Sequence, residues 1–484
     1  MSNLKRFIVG HRHGPRMDTQ SEKQLETLLA DKRNVKLLRR THVGRCAVHL
    51  PDDQMRDFQR DNPVLVVEED QALELYGMPG MPSRAPVGEV LELPVTVQDA
   101  ESGKPVSAAT VYGRGKTVSY KAVTDDKGKA VLTVSEPLLE QVLVSARDTF
   151  WSQRLDNVQA GPKAKLAVNL KPLLTNGCHE WGKLAMGFHK IQQRWTGRGV
   201  KIGIVDTGII NNHPEFNPSG GYNTLDGQAQ DKWHVDEKGH GTHIAGLISA
   251  KSGTRILAGG APDAEIYAIK VFPGGFISDL VEGIEWCIRN RMDIICLSLG
   301  VRKPSHVLAA VLRDAYDRGI VCISAAGNDR SHLAFPAAYP TTISVGAIGR
   351  MGTFPEDSGH SVNASFITDS RGGLFAAAFS NFGESLDFCA PGVSILSTVP
   401  TGYAAWDGTS MACGLVCALV ALVMEAYPHL RTADPSQPEA IRTLLYHSAY
   451  DLGMPVSLQG AGMPLCPQAL GAACTPFSGA ACCG

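Results

Sequence analysis

Ser410 stands in Asp407-Gly408-Thr409-Ser410-Met411-Ala412, and the run that follows, CGLVCALVALVMEAY, is apolar enough to form a buried helix. At the start of such a helix the backbone NH groups lack intrahelical partners. Negative charge developing on a substrate oxygen is therefore stabilised beside the hydroxyl. Taken alone, a serine in that place reads as a helix cap. His240, in GHGTHIAG, changes the reading. A neutral imidazole on a tightly packed helix can take the serine proton near neutral pH and return it to a leaving amine. Asp206 closes the apolar run Lys201-Ile202-Gly203-Ile204-Val205 and precedes Thr207-Gly208, which puts it at the carboxyl edge of a central strand, where open α/β sheets carry functional groups. A carboxylate there fixes the imidazole tautomer and stabilises imidazolium, whereas the plainer reading is an aspartate closing a turn. Hydroxyl, imidazole and carboxylate together suit acyl transfer through a serine nucleophile.

Two rival chemistries are weaker. Asp206-Thr207-Gly208 and Asp357-Ser358-Gly359 could be the paired carboxylates of an aspartic peptidase, but the GTFPE before Asp357 is no buried strand, and the surrounding pattern alternates strands with helices. His240 and His243 could bind a metal, yet they are three apart instead of four and lack the glutamate of the zinc-peptidase signature. His243 then reads as a structural histidine. Metal ligands stay unassigned and no cofactor is required for the chemistry; structural calcium stays open as an unassigned ligand, since no oxygen-rich loop is diagnostic of it.

The elements that must position these residues fall in residues 173–455. Lys201 to Asp206, Glu265 to Val271, Asp293 to Ser298, Ile320 to Ser324 and Thr342 to Val345 are near-continuously apolar, as central parallel strands are. Ile277 to Arg291 and His306 to Arg318 read as crossover helices. The expected fold is α/β, a doubly wound and mostly parallel sheet. Between Ala347 and Phe379 an enlarged loop carries FPEDSGHSVNASFITDSRGG, with no legible role. Residues 1–76 read as a small α+β unit, GMPGMPSRAPV at 77–87 as a linker, and 88–172 as short strands between turns, a β-sandwich. Residues 456–484 read as an Ala/Gly/Cys-rich tail holding Cys466, Cys474, Cys482 and Cys483, either flexible or redox-sensitive.

The 484 residues allow two to four domains, at roughly 100–200 residues each. A net charge of -2 gives no reason to expect nucleic acid or anionic membrane as a partner, and the basic run from Lys36 to Arg45 reads as a solvated face. Met411 to Met424 is the longest apolar run and is shorter than the roughly 20 residues a membrane span needs. No leader is visible in MSNLKRFIVGHRHGPRM, and cysteines such as Cys287, Cys296, Cys322, Cys389, Cys413 and Cys417 sit in apolar segments, as reduced thiols do. A cytoplasmic setting is the expectation, with export by an unrecognised route as the alternative.

KIGIVDTGI, HGTHIAG, ICLSLG, SAAGN and GTSMA occur in the order and at roughly the separations of the subtilase family, which residues 180 to 450 resemble. The resemblance implies a subtilisin-like fold and serine endopeptidase activity. It carries Asp206, His240 and Ser410 onto the charge-stabilising, base and nucleophile roles, and Asn328 onto the side-chain oxyanion donor. It also implies that Ser298, Leu299 and Gly300 form the edge that pairs with substrate backbone. Ala325, Ala326 and Gly327 then face that edge across the first specificity pocket, with Ala334 near its floor. No acidic residue appears there, so hydrophobic residues before the scissile bond are expected. The family usually continues the serine motif with Ser-Pro-His where this chain has Cys413-Gly414-Leu415, so a peptide-binding or scaffolding protein with impaired catalysis is the alternative. RFIVG and PVLVVEEDQALELYG resemble the family's inhibitory propeptide, implying that residues 1–76 are an intramolecular partner cut off by the enzyme itself. Within residues 88–172, the runs VTVQDAESGKPVSAATV, YKAVTDDKGKAVLTV and VLVSARDTF are similar to carboxypeptidase-type regulatory β-sandwiches and imply an accessory unit that holds a protein partner or positions the enzyme. Partners are then protein or peptide substrates and the chain's own N-terminal unit.

Overall fold

The computed structural model describes residues 4–11, 19–30, 35–41, 44–75, 90–146, 148–173, 181–191, 194–251, 257–368 and 372–471. The expected linker at 77–87 and the cysteines beyond 471 lie outside them. One large sheet organises the chain. Its strands run in space as Gly220–Asn223, Glu265–Lys270, Lys201–Asp206, Ile294–Leu297, Val321–Ala325, Thr342–Arg350, Leu374–Ala377 and Ala364–Thr368, with Phe388–Pro391 also paired to Thr342–Arg350. Pairing is parallel from Gly220–Asn223 through Thr342–Arg350 and on to Phe388–Pro391; only Leu374–Ala377 and Ala364–Thr368 join antiparallel.

The unbroken apolar runs follow from burial of both sheet faces. Along each strand, successive side chains enter opposite cores. Ile204, Ile294, Cys296, Val321 and Ile323 join one cluster with helices His240–Ser249 and Thr409–Ala426. Val205, Ile295, Leu297 and Cys322 join the other with helices Ile277–Arg289 and His306–Asp317. Thr409–Ala426 is buried from Thr409 to Met424, as a helix apolar on every side must be in a globular fold. Among the described residues it is the one helix long and apolar enough to cross a membrane, yet 89% of that stretch is buried within the fold. The enlarged 347–379 segment is no simple loop: it contains a 3-10 turn, Gly359–Asn363, and the two antiparallel strands.

Residues 91–170 form two further sheets. One runs Gln153–Gln159, Leu138–Ser145, Thr110–Arg114, Ser119–Val123, and the other Leu166–Leu170, Leu91–Asp99, Lys129–Val134. Both sheets contribute to one apolar cluster, including Leu93, Val95, Leu132, Val111, Val142 and Val144. The sequence reading misses strand Gln153–Gln159, because QRLDNVQ lies at a sheet edge with no fully buried residue and so has no apolar alternation.

At the N-terminus, strands Lys36–Arg40, Cys46–Pro51, Leu4–His11 and Leu65–Glu69 pair antiparallel in that order, beside helices Thr19–Ala30 and Asp52–Asp61. Ile8, Val66 and Leu73 extend from this unit into the cluster beneath helices Ile277–Arg289 and His306–Asp317. Its acidic end caps both helices, where unpaired NH groups favour negative charge. Asp70 accepts from Ser278 N at 2.8 Å, and Glu68 accepts from His306 N at 2.9 Å and Val307 N at 3.1 Å.

Two expectations are corrected here. The basic run is a solvated face only in part: Lys36 and Arg40 are exposed, but Arg39 is paired with Asp279 at 2.8 Å, Glu282 at 2.8 Å and Asp226 at 2.7 Å, and Arg45 is buried against Glu285. Those acidic partners lie more than a hundred residues away, out of reach of a local reading. The boundary at 455 also moves, because Met463, Leu465, Cys466 and Ala469 are buried in the same core as the large sheet. Cys466 is thus a core thiol and not part of a flexible tail, and burial pushes its pKa up.

The Arg45 and Glu285 pair yields a test. Burial raises the Glu285 carboxyl above its usual range although Arg45 pulls it down, so removing the guanidinium leaves a poorly solvated charge. In a Ser410→Ala background, Arg45→Ala is expected to cost about 3–5 kcal/mol in denaturant unfolding. A change within about 0.5 kcal/mol, the range of ordinary surface substitutions, would show that the pair does not hold the N-terminal unit in place.

Candidate active site

Asp206 ends the strand Lys201–Asp206, and His240 opens the helix His240–Ser249. Both are buried, and His240 Nδ1 lies 2.8 Å from each carboxylate oxygen of Asp206. A proton on Nδ1 satisfies that bond and leaves Nε2 as the basic nitrogen. Nε2 is buried and has no hydrogen-bond partner among the described residues. Burial opposes protonation of His240, but the Asp206 carboxylate outweighs it and its pKa lies above the ordinary histidine value. His243 behaves oppositely: burial takes it down to about 3 despite a 3.1 Å contact between its Nε2 and the Ala404 carbonyl, so it stays neutral. Its ring stacks on Trp406 at 4.7 Å, and Trp406 also flanks His240 at 6.3 Å.

The helix start is held by groups that the sequence reading did not single out. Asp236 accepts from Gly239 N at 2.7 Å, Thr242 N at 2.9 Å, and the hydroxyls of Thr207 at 2.7 Å and Thr242 at 2.6 Å. Thr207 Oγ1 in turn accepts from Gly241 N at 2.9 Å, tying the turn after Asp206 to the helix carrying His240. Lys270, paired in register with Asp206, sends its ammonium to the carbonyls of Thr207 at 2.8 Å and Val235 at 2.7 Å. Two signals were available: an aspartate just ahead of a glycine-rich helix start, and a lysine ending the apolar strand EIYAIK.

Ser410 lies in the first turn of Thr409–Ala426 and is fully buried. Its Oγ donates to the Ser298 carbonyl at 3.3 Å, a long bond, while Ser298 Oγ reaches the Ser410 carbonyl at 3.4 Å. Asn328 Oδ1 accepts from Thr409 N at 3.0 Å and Thr409 Oγ1 at 2.8 Å. That commitment orients the amide and makes its NH2 end the donor it can offer. Ala325 ends strand Val321–Ala325, and Ala326 N continues the ladder to the Val345 carbonyl at 2.9 Å. Gly327 has φ +113°, and a Cβ there would fall 2.3 Å from Asn381 Nδ2 and 3.4 Å from Ala334 Cβ, so only glycine fits between the two. Ala334 N bonds the Ala326 carbonyl at 3.0 Å.

Leu299 and Gly300 pair antiparallel with Leu75 and Glu74. On the other side of the same segment, Leu73 N donates to Gly275 O at 2.9 Å and Ile277 N to Gln71 O at 2.9 Å. The chain from Gln71 to Leu75 thus runs as a strand between two edges, of which the sequence reading anticipated only Leu299–Gly300. Behind the serine turn, the sulfurs of Cys296, Cys413 and Cys417 lie within 4.8 Å of one another, the one such group among the described residues. The substitution of Cys413 for the family's usual serine therefore sits in a buried thiol cluster.

The carboxylate of Asp206, the imidazole of His240, the hydroxyl of Ser410 and the amide of Asn328 all stand at or just beyond the ends of the parallel strands or at the starts of the helices packed on them. The subtilase family profile matches residues 197–463. Subtilisin NAT of Bacillus subtilis subsp. natto is 38% identical over 268 residues, 53% of this chain and 64% of that protein. Subtilisin of Bacillus pumilus is 38% identical over 268 residues and covered over 89% of its length, and the alkaline protease of Alkalihalobacillus alcalophilus is 35% identical over 273 residues, 63% of its length. The chain thus spans a little under two thirds of the length of several of these relatives. It belongs to the subtilase family.

Asp236 offers a test of how the helix start is held. Asp236→Ala removes a cap and orphans buried NH groups, and is expected to lower the unfolding free energy by about 1–2 kcal/mol in denaturant titrations. An unmoved midpoint would mean that water replaces the carboxylate without cost.

Proposed function

We propose that this chain is a serine endopeptidase that cleaves protein substrates through an acyl-enzyme. Ser410 attacks the carbonyl carbon while His240 Nε2 takes its proton, and Asp206 supports the imidazolium. The Ser410 NH and the Asn328 amide bind the oxygen that becomes negative. His240 then returns the proton to the leaving amine, and water repeats the sequence on the ester. The observation that carries this reading is the buried His240 imidazole, bonded through Nδ1 to Asp206 at 2.8 Å with Nε2 uncommitted. The 3.3 Å bond from Ser410 to the Ser298 carbonyl suits a resting hydroxyl, since catalytic hydrogen bonds tighten only when substrate is bound. Every step uses a group of the chain itself.

Substrate is read as an extended strand along Ser298, Leu299 and Gly300, with a hydrophobic side chain directed toward Ala325, Ala326, Gly327 and Ala334. Main-chain pairing makes recognition tolerant of sequence. Residues 1–76 are read as an inhibitory propeptide-like unit, supported by the way Glu74 and Leu75 occupy the edge a substrate would take. The eight described cysteines, buried and unpaired, support a reducing, cytoplasmic setting.

Ser410→Ala should abolish both casein hydrolysis and labelling by a fluorophosphonate. The expected loss in kcat is on the order of a million-fold, a magnitude established on subtilisin itself and borrowed by family membership. Asn328→Ala should lose about 100- to 1,000-fold, again a subtilisin magnitude. Full processing by wild type, with an intact 1–76 junction in Ser410→Ala, would support self-cleavage; a fully active, uncut wild type would refute it. Wild-type protein freed of residues 1–76 that neither cuts casein nor takes the probe would leave the peptide-binding alternative.

The base must be neutral to act, and His240 is held above the ordinary histidine value. Activity should therefore rise with pH through a midpoint above that value in a profile of kcat/KM. A midpoint below it would rule out His240 as the group titrating.

A further inference from the structure

The two-sheet unit reaches the serine turn through one buried aromatic and one imidazole. Phe150 and Trp151 are neighbours that pack in opposite directions. Phe150 lies against the core of the two sheets, whereas Trp151 is buried with Phe354, Phe375 and Val393 beside the large sheet. Trp151 meets His360 edge-on, with ring centroids 5.6 Å apart and planes at 87°. His360 belongs to the enlarged 347–379 segment, and its Nδ1 lies 2.8 and 2.9 Å from the two carboxylate oxygens of Asp407. Asp407 is buried and also accepts from Asn363 Nδ2 at 2.6 Å and Ser394 N at 2.6 Å.

Asp407 stands three residues before Ser410. From there the backbone is fixed step by step: Gly408 N bonds the Gly392 carbonyl at 2.8 Å, and Thr409 N bonds Asn328 Oδ1 at 3.0 Å. The turn is therefore held upstream by Asp407 and downstream by Asn328. Both side-chain donors to Asp407 come from the enlarged segment. A buried carboxylate stripped of its donors is costly, so the turn keeps this shape only while that segment stays seated.

The two-sheet unit holds it there. Arg154 N donates to the Asp357 carbonyl at 2.7 Å, Arg154 Nη1 to Ser361 Oγ at 2.8 Å, and Gly359 N to Ser152 Oγ at 3.1 Å. Leu143 packs so closely on Gly359 that a Cβ there would fall 2.6 Å from Leu143 Cδ1.

We propose that Trp151, His360 and Asp407 are positioning residues for Ser410, and that residues 88–172 act as an intramolecular brace that holds the serine turn in its reactive shape. The inference rests on Ser410 being the nucleophile. It gives the second accessory unit a role in the reaction rate that needs no external partner.

The test compares wild type with His360→Leu, His360→Asn and Trp151→Leu, each expressed as the full chain, checked for folding by thermal unfolding, and assayed after separation of residues 1–76. Peptide hydrolysis and the second-order rate of fluorophosphonate labelling are measured. Leucine fills the site without a donor, whereas the asparagine amide can place an NH where Nδ1 stands. Expected for His360→Leu is a loss of about 10- to 100-fold in kcat and in labelling rate, the scale of a small misplacement of a reacting group, with KM little changed. His360→Asn should recover most of it, and Trp151→Leu should fall in the same direction with less effect. A folded His360→Leu with kcat within about twofold of wild type, or equal losses in the Leu and Asn variants, would overturn the proposal, because the site would then be packing alone. If His360→Leu does not fold, Trp151→Leu decides: an unchanged kcat overturns the brace and a selective fall in kcat supports it. A wild type that takes no probe would instead strike the nucleophile assignment.

Discussion

The burial of helix Thr409–Ala426 against the large sheet is the constraint on which the rest depends. Its surface is apolar all round, so it has no stable place except inside the core. Once there, its first turn emerges beside the loop that follows strand Val321–Ala325, where Thr409 N bonds Asn328 Oδ1 at 3.0 Å. The helix carrying His240 packs against the same face, and the two share one core. Packing of apolar residues thus sets where the starts of these two helices, and with them Ser410 and His240, come to lie.

Burying these groups creates a second demand, since each polar atom removed from water must find a partner. Asp206, Asp236 and Asp407 are all buried, and each is met by an imidazole, backbone NH groups, or hydroxyl or amide side chains. Lys270 meets the demand from the other side, giving its ammonium to two carbonyls; burial lowers its pKa, while Asp236, Glu237 and Asp206 pull the other way. Carboxylates so enclosed cannot drift with solvent, and they convert core packing into fixed positions for the loops that connect it.

The N-terminal unit is fastened by the same economy of charge at helix ends. Glu68 and Asp70 sit on the N-termini of two neighbouring helices, and the side of one of them receives Arg39 and Arg45. These contacts aim the chain from Gln71 to Leu75 between Gly275–Ile277 and Leu299–Gly300. A segment delivered to that edge by charge and held there by main-chain bonds is suited to the inhibitory role proposed for it.

The sequence by itself determined the large sheet and the motifs that stand at its edge. Asp206, His240, Ser410 and Asn328 stand in motifs whose order and spacing are specific, and the strands Lys201–Asp206 and Val321–Ala325 announce themselves because a doubly covered strand is apolar throughout. Features that draw their meaning from distant partners were not legible. Arg39 and Arg45 look like solvent charges until Asp279 and Glu285 lie opposite them, and Cys466 looks like tail until the core closes over it. Strand Gln153–Gln159 is invisible because an edge strand need not alternate. The pairing of His360 with Asp407 joins residues 47 apart through a segment whose sequence carries no sign of that partner. Local pattern records what a residue must bury, whereas only the tertiary structure decides which remote group it is buried against, because that choice is made by packing across the chain and leaves no period in the sequence.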